Sequence, residues 1–261
     1  MTENIMSQLD PIFKATSIAF IGASNNKSKW GGMVLNRLLE SDYAGEIYPV
    51  NPKESEILGK KAYADIRDIP GKVDLAVFTI PAAHMPEVMK NCVEKGVKGG
   101  VVISADFAET GETGRQLQND TVRIAREGGL RFVGPNGNGV WSSAVKMNLS
   151  PMPDWIPGSL AFISQSGMFG GAALRASLLQ GIGISKFIAM GNQGDLTAAD
   201  YLEYLVDDDD TQVIAIYLEG MKEGRRFLET AQRVSKKKPI IILKGGCSEQ
   251  GARATLSHTA S

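Results

Sequence analysis

The sequence predicts an α/β protein made of two domains, each built on a doubly wound parallel sheet. Three observations carry this. Short apolar runs rich in β-formers alternate with stretches whose apolar residues recur every three or four positions. That alternation implies parallel strands joined by right-handed helical crossovers. Many of the runs end in glycine, serine or proline, residues suited to loops that approach a ligand closely. The stretch 141–158 holds Pro151, Pro153 and Pro157 with little periodicity, and it reads as the connection between two series. A length of 261 residues fits two domains, here 1–145 and 146–261.

The bulk numbers narrow the function. Hydrophobic content is 43% and charged content 22%, so a well-buried core is expected. A net charge of -1 offers no electrostatic basis for binding nucleic acid or an anionic membrane. The apolar runs are strand-sized, too short to span a bilayer. The start, MTENIMSQLDPIF, lacks a basic region followed by an apolar one, so no signal peptide is expected. Cys92 and Cys247 read as reduced thiols, consistent with the cytoplasm.

In the first half, Ser17 to Ile21 is a strand and GASNNKSKWGG a glycine-rich loop. Val34, Leu35, Leu38 and Leu39 then mark a helix. Such a turn aims backbone N–H groups and a helix N-terminus at a phosphate, making Gly22, Ser24, Asn25 and Lys29 candidates. The next glycine after Gly22 is Gly31, so the dinucleotide pattern G-x-G-x-x-G is absent. The second strand, Glu46 to Val50, ends in Asn51-Pro52-Lys53, where an NAD site wants an acid for the ribose. A lysine suits an additional phosphate. Coenzyme A fits, and NADP competes with it.

Val73 to Ile80 is a strand ending at Pro81, and Met85, Val88, Met89 and Cys92 share a helix face. His84, at the start of that helix, is expected in a cap or surface role. Gly99 to Ser104 is a strand whose end carries Ile103 and Ser104. A helix over 112–127 follows, then Leu130 to Val133 and the loop GPNGNG with Asn136. Ser24, Lys53, Pro81, Ser104 and Asn136 thus fall at strand carboxyl ends, the ligand edge of such a sheet.

The second half begins with Leu160 to Ile163, running into Ser164-Gln165-Ser166-Gly167. The helix after it, 168–180, is small and apolar nearly all round and is expected to be buried. Ser164, Ser166 and Gly167 at its start suggest an anion site, which the helix dipole favours by about 0.3–1 kcal/mol. Ordinary serine capping is the alternative. Ser185 to Met190 is a strand, GNQGD a loop, and Thr197 with Asp200 a capping box for the helix 196–206. Asp207 to Asp210 reads as a solvated turn and not a metal site. Val213 to Leu218 is a strand that places Glu219 at the ligand edge. A helix with Phe227, Leu228, Ala231 and Val234, and a strand over 239–243, lead to the polar tail KGGCSEQGARATLSHTAS. That tail, read as a mobile loop, carries His258, one of 2 histidines.

An anion site, a carboxylate and a histidine on one edge are compatible with hydrolysis, but no G-x-S-x-G elbow is present. No His/Cys/carboxylate spacing suggests zinc or another metal. A different use makes His258 the nucleophile for a phosphoryl group, with Glu219 fixing the imidazole tautomer.

At these residues the sequence resembles the α portion of the NDP-forming acyl-CoA synthetases (ADP-forming acetate–CoA ligase), of the succinyl-CoA synthetase superfamily. The stretches IGASNNKSKWGG, YPVNPK, FTIPA, SADFAETGE, FVGPNGNG, ISQSG, MGNQGDL, YLEG and KGGCSEQGARATLSHTAS carry it, in order, over nearly the whole chain. The resemblance implies a Rossmann-like CoA-binding domain followed by a flavodoxin-like domain. It implies coenzyme A in the first domain, a phosphohistidine at His258 supported by Glu219, and phosphate at the SQSG helix. The implied reaction is acyl-CoA + ADP + phosphate to acid + CoA + ATP, through an acyl phosphate. ADP/ATP and Mg would bind an ATP-grasp β subunit or fused C-terminal domains. A small carboxylic acid would be the substrate, in an oligomeric enzyme. Asp106 stands where the family often has glycine. The family continues beyond the position of His258, so the chain is expected to be a fragment that binds CoA without turning over alone. The alternatives are a non-catalytic CoA-binding regulatory domain of the kind fused to protein acetyltransferases, and an NADP-dependent reductase.

Overall fold

Residues 4–153 and 155–247 are described by the structure, a computed structural model. The chain opens with a helix that the sequence reading did not foresee, α1 (Ile5–Phe13). Pro11 lies inside it, and its buried side chains are Leu9, Ile12 and Phe13. The first sheet follows as β1 (Ser17–Ile21), α2 (Trp30–Glu40), β2 (Glu46–Val50), the short hairpin β3 (Glu56–Ile57) and β4 (Lys60–Lys61), β5 (Leu75–Phe78), α3 (Met85–Lys95), β6 (Gly99–Val102), α4 (Glu112–Glu127) and β7 (Arg131–Val133). Its order is β2-β1-β5-β6-β7, all parallel. Alternate residues of the strands feed opposite faces, as the pleat requires. Ile18, Phe20, Val77 and Val101 enter one core cluster; Ala19, Ile21, Ala76, Phe78 and Val102 enter the other.

The second sheet comprises β8 (Val140–Ser142), β9 (Met147–Asn148), β10 (Pro157–Ser164), α5 (Gly167–Leu179), β11 (Ile184–Ala189), α6 (Ala198–Leu205), β12 (Val213–Leu218), α7 (Gly224–Val234) and β13 (Ile240–Lys244). Its order is β13-β12-β10-β11-β8-β9. Four strands are parallel, and β8 and β9 add an antiparallel margin beyond β11. The stretch 141–158 is therefore more than a connection, because β8 and β9 lie largely within it and pair as a hairpin. Val140–Ser142, upstream of residue 145, hydrogen-bonds into the second sheet. Three-residue and two-residue strands leave too few positions for an alternation to register.

Two further expectations need correction. Helix α5 buries only one face, through Gly170, Gly171, Leu174 and Ser177, while Met168 and Leu179 are each 78% exposed. Apolar composition all round does not distinguish a buried helix from one with a bare face. The acidic run 207–210 is not wholly solvated. Asp208 is buried and binds the fully buried Lys186 of β11 at 2.6 Å. The Thr197–Asp200 capping box is present, with Asp200 accepting from the Thr197 N–H at 2.7 Å.

One core cluster runs from Leu9 and Phe20 to Ile216 and Val234 and so joins the two sheets. Asp195, fully buried in the GNQGD loop, accepts from Arg126 Nε at 2.6 Å, Arg131 Nε at 2.9 Å and the Phe132 N–H at 2.9 Å. Tyr204 of α6 packs its ring at a tilt against Phe13 and donates to Asp10 at 2.9 Å, tying α1 to the second sheet. Among the described residues no helix is long and apolar enough to cross a membrane.

Candidate functional site

In a doubly wound sheet, ligands bind where the strand order reverses, because the loops there diverge to opposite faces. In the first sheet β1 pairs with both β2 and β5, so the reversal lies at the ends of β1 and β5. A cleft of about 740 Å³ opens there. Gly22, Lys29, Lys53 and Pro81 line it, over an apolar floor that includes Ile21, Val50, Ile80 and Val88. Gly22 has φ +86°, and a Cβ there would lie 2.8 Å from Thr79 Oγ1. Glycine is therefore the residue that lets the backbone turn and the β5 loop close up. Its N–H donates to the Val50 carbonyl at 3.0 Å, and Asn51 Nδ2 donates to the Ala23 carbonyl at 2.9 Å, holding two walls together. Both lysines are exposed at the rim and give the mouth of the cleft a positive edge.

The other candidates of the first domain are placed differently. Asn25 spans the β3–β4 hairpin, donating to the Glu56 carbonyl at 3.1 Å and accepting from the Leu58 N–H at 2.9 Å. Ser24 accepts from the Asn26 N–H at 3.1 Å. Ile103 is buried, and Ser104 Oγ donates to the Ile80 carbonyl at 2.5 Å, bracing the β5 loop. The Asn136 N–H donates to the Ser104 carbonyl at 2.9 Å, so these two adjoin. None of these five lines the cleft.

Two other residues do: Asp65, which the sequence reading passed over, and His84, which it assigned to a cap or surface role. Asp65 binds Arg67 at 2.8 Å and Asn91 at 3.0 Å, and the Arg67 guanidinium holds its carboxyl below the usual range. His84 stands at the N-cap position of α3 without a side-chain capping bond and borders the cleft. Nothing in the local sequence places either beside the cleft, since their proximity comes from the crossover.

The second sheet reverses at β10, which pairs with both β11 and β12. The turn Ser164–Gly167 closes β10 and opens α5, and Glu219 directly follows β12. Ser164, Gln165, Ser166 and Glu219 are all buried. Ser166 caps α5 by accepting from the Phe169 N–H at 3.3 Å, and Ser164 Oγ donates to the Ser166 carbonyl at 2.6 Å. Ordinary capping is thus real, and it holds the turn that starts α5. Gln165 Oε1 accepts from the Glu219 and Gly220 N–H groups at 2.8 and 2.9 Å. Tyr217 donates to Glu219 Oε1 at 3.3 Å, and its ring stacks on Phe169 with centroids 4.0 Å apart. Burial, and then the Glu219 charge, push the Tyr217 hydroxyl pKa up. Lys244 Nζ donates to the Glu219 carbonyl at 2.7 Å. His258 lies outside the described residues, as does the rest of 248–261.

The first domain reaches this second site through its last loop. Asn138 packs so closely on Gly167 that a Cβ there would lie 2.4 Å from the amide carbon. Asn192 in the GNQGD loop donates to Glu109 at 2.5 Å and to Gln118 at 3.1 Å, and accepts from Asn136 at 3.3 Å. Asp106 takes φ +72°, the conformation a glycine adopts freely, with its N–H donating to Glu109 at 2.7 Å. The turn keeps a glycine-like shape without the glycine.

Residues 16–142 match a family profile described as a CoA binding domain, and 157–261 one described as a succinyl-CoA ligase like flavodoxin domain. The chain belongs to the NDP-forming acyl-CoA synthetase family. The acetate–CoA ligase [ADP-forming] II subunit alpha of Pyrococcus furiosus is 46% identical over 253 residues, covering 97% of this chain and 55% of that protein. The acetate–CoA ligase [ADP-forming] of Methanocaldococcus jannaschii is 42% identical, over 94% of this chain and 34% of that one. The dinucleotide forming acetyl-coenzyme A synthetase 1 of Ca. Korarchaeum cryptofilum, solved in complex with phosphate and ADP, superposes with a TM-score of 0.91 at 41% identity. That superposition covers 96% of this chain and 54% of the synthetase chain. The chain thus spans about half the length of the Pyrococcus and Korarchaeum relatives.

Proposed function

We propose that the chain is the CoA-binding and phosphohistidine-bearing part of a cytoplasmic NDP-forming acyl-CoA synthetase, an acid–thiol ligase. The reaction is acyl-CoA + ADP + phosphate to acid + CoA + ATP, run reversibly. The observation that carries this reading is the pairing of two switch-point sites: a cleft with Lys29 and Lys53 at its rim, and a buried Ser164–Gly167 turn stitched to Glu219. CoA fits the first because two cations and an apolar floor suit a phosphorylated adenosine.

Phosphate sits at the N-terminus of α5, where the helix dipole and donors favour an anion. Its oxygen attacks the thioester carbonyl, CoA leaves as thiolate, and an acyl phosphate forms. One His258 nitrogen then attacks phosphorus and the carboxylate departs. The other nitrogen keeps its proton and donates a hydrogen bond to Glu219, whose carboxylate stabilises the phosphoimidazolium cation that forms. ADP takes the phosphoryl group from His258 on an ATP-grasp β subunit or fused domain, which holds the nucleotide and Mg²⁺. The acid is a small carboxylate, and the assembly is an oligomer.

Two measurements test this. Calorimetry should give CoA binding to the chain and much weaker NADPH binding; tight NADPH binding without CoA binding overturns it. With the ATP-grasp partner and [γ-³²P]ATP, the chain should acquire acid-labile, base-stable phosphate that is lost in His258→Ala and greatly slowed in Glu219→Gln. A label that survives His258→Ala refutes the phosphohistidine.

A further inference from the structure

We infer that Gln165 is a positioning residue that sets the spacing between the phosphate-holding turn and the Glu219 carboxylate. The inference rests on the proposed phosphohistidine chemistry and adds a residue to it. Gln165 is 5% exposed and stands between the two serines of the turn. It is sewn to β12 twice. Its N–H donates to the Tyr217 carbonyl at 3.0 Å, and its side-chain oxygen receives the N–H groups of Glu219 and Gly220 at 2.8 and 2.9 Å. Two backbone donors on one oxygen fix the orientation of the amide. The Glu219 carbonyl is held independently by Lys244. The peptide groups on both sides of the Glu219 Cα are therefore anchored, one to the start of α5 and one to the end of β13.

Chemistry selects the side chain. An aliphatic residue of this length leaves the buried Glu219 N–H and the half-buried Gly220 N–H without this acceptor. A glutamate satisfies them but adds a negative charge beside Glu219 and the incoming phosphate. An asparagine is one methylene short. A neutral acceptor of glutamine's reach meets both demands.

The test uses Gln165→Met and Gln165→Glu, each with the ATP-grasp partner and [γ-³²P]ATP, together with CoA calorimetry and thermal melts. Q165M should slow base-stable labelling by about 10- to 100-fold, the scale of a misplaced reacting group, with CoA affinity unchanged. Q165E, which keeps the acceptor, should recover labelling at high pH. Its acid limb should move upward, because a second carboxylate disfavours the ionised form of Glu219. Wild-type labelling rate and pH profile in both variants would overturn the inference. So would loss of labelling that merely tracks lost CoA binding and a lowered melting point. An unlabelled wild type instead overturns the phosphohistidine reading itself.

Discussion

Lys186 and Asp208 are both essentially without solvent contact and meet at 2.6 Å, with Thr211 adding a hydrogen bond to the same carboxylate oxygen. Removing Asp208 leaves the buried Lys186 ammonium with only the half-exposed Asp210 at 3.7 Å, so Asp208→Ala should cost about 3 kcal/mol in urea unfolding. Replacing both partners by Lys186→Met with Asp208→Leu should recover much of that loss. Asp74 behaves differently. Burial raises its pKa, but hydrogen bonds from Thr16 and Lys72 outweigh that and hold it at about 2. The unfolded carboxyl titrates near ~3.9. Between these values the unfolded state binds more protons, so this contribution is full above about pH 4 and drains away towards pH 2. The stability difference between wild type and Asp74→Asn should narrow across that window.

At the scale of elements, the β1–α2 turn depends on one backbone conformation. Gly22→Ala forces an L side chain to φ +86° and drives a methyl into Thr79 and Ile80. The left-handed backbone alone costs about 1–2 kcal/mol. Denaturant unfolding should show at least that loss, and CoA affinity should fall because the walls of the cleft separate. Helix α5 teaches the converse lesson. Its composition suggested burial all round, yet only Gly170, Gly171, Leu174 and Ser177 are buried.

Across the whole molecule, Asp195 anchors the GNQGD loop to α4 and β7, receiving two guanidinium groups and a backbone N–H. Asp195→Ala should cost on the order of 3 kcal/mol. Because the lost bonds bridge the two sheets, calorimetric unfolding should also lose cooperativity and broaden or split. A single sharp transition at the wild-type temperature would refute this bridging role. The GPNGNG loop works at the same scale, since Asn138 rests against Gly167 and brings the first domain to the second site.

Most strands and helices were legible because they are long enough for a period to appear and because parallel strands buried on both faces read as unbroken apolar runs. Glu219 and the SQSG turn were legible as strand ends, and their shared edge followed from the alternation. The β8–β9 margin and β3–β4 were too short to register, and α1 carries a proline within its span. Asn138 and Asp195 stand in loops with no distinguishing local pattern, and their partners lie 29 and 63 to 69 positions away. The sequence by itself determined the alternation of elements, and with it which loops share the ligand edge, because periodicity and turn chemistry are local. Only the tertiary structure decided which acid anchors the two sheets, which helix face stays bare, and that Gln165 holds Glu219. Those outcomes rest on contacts between distant segments, and no local signal encodes them.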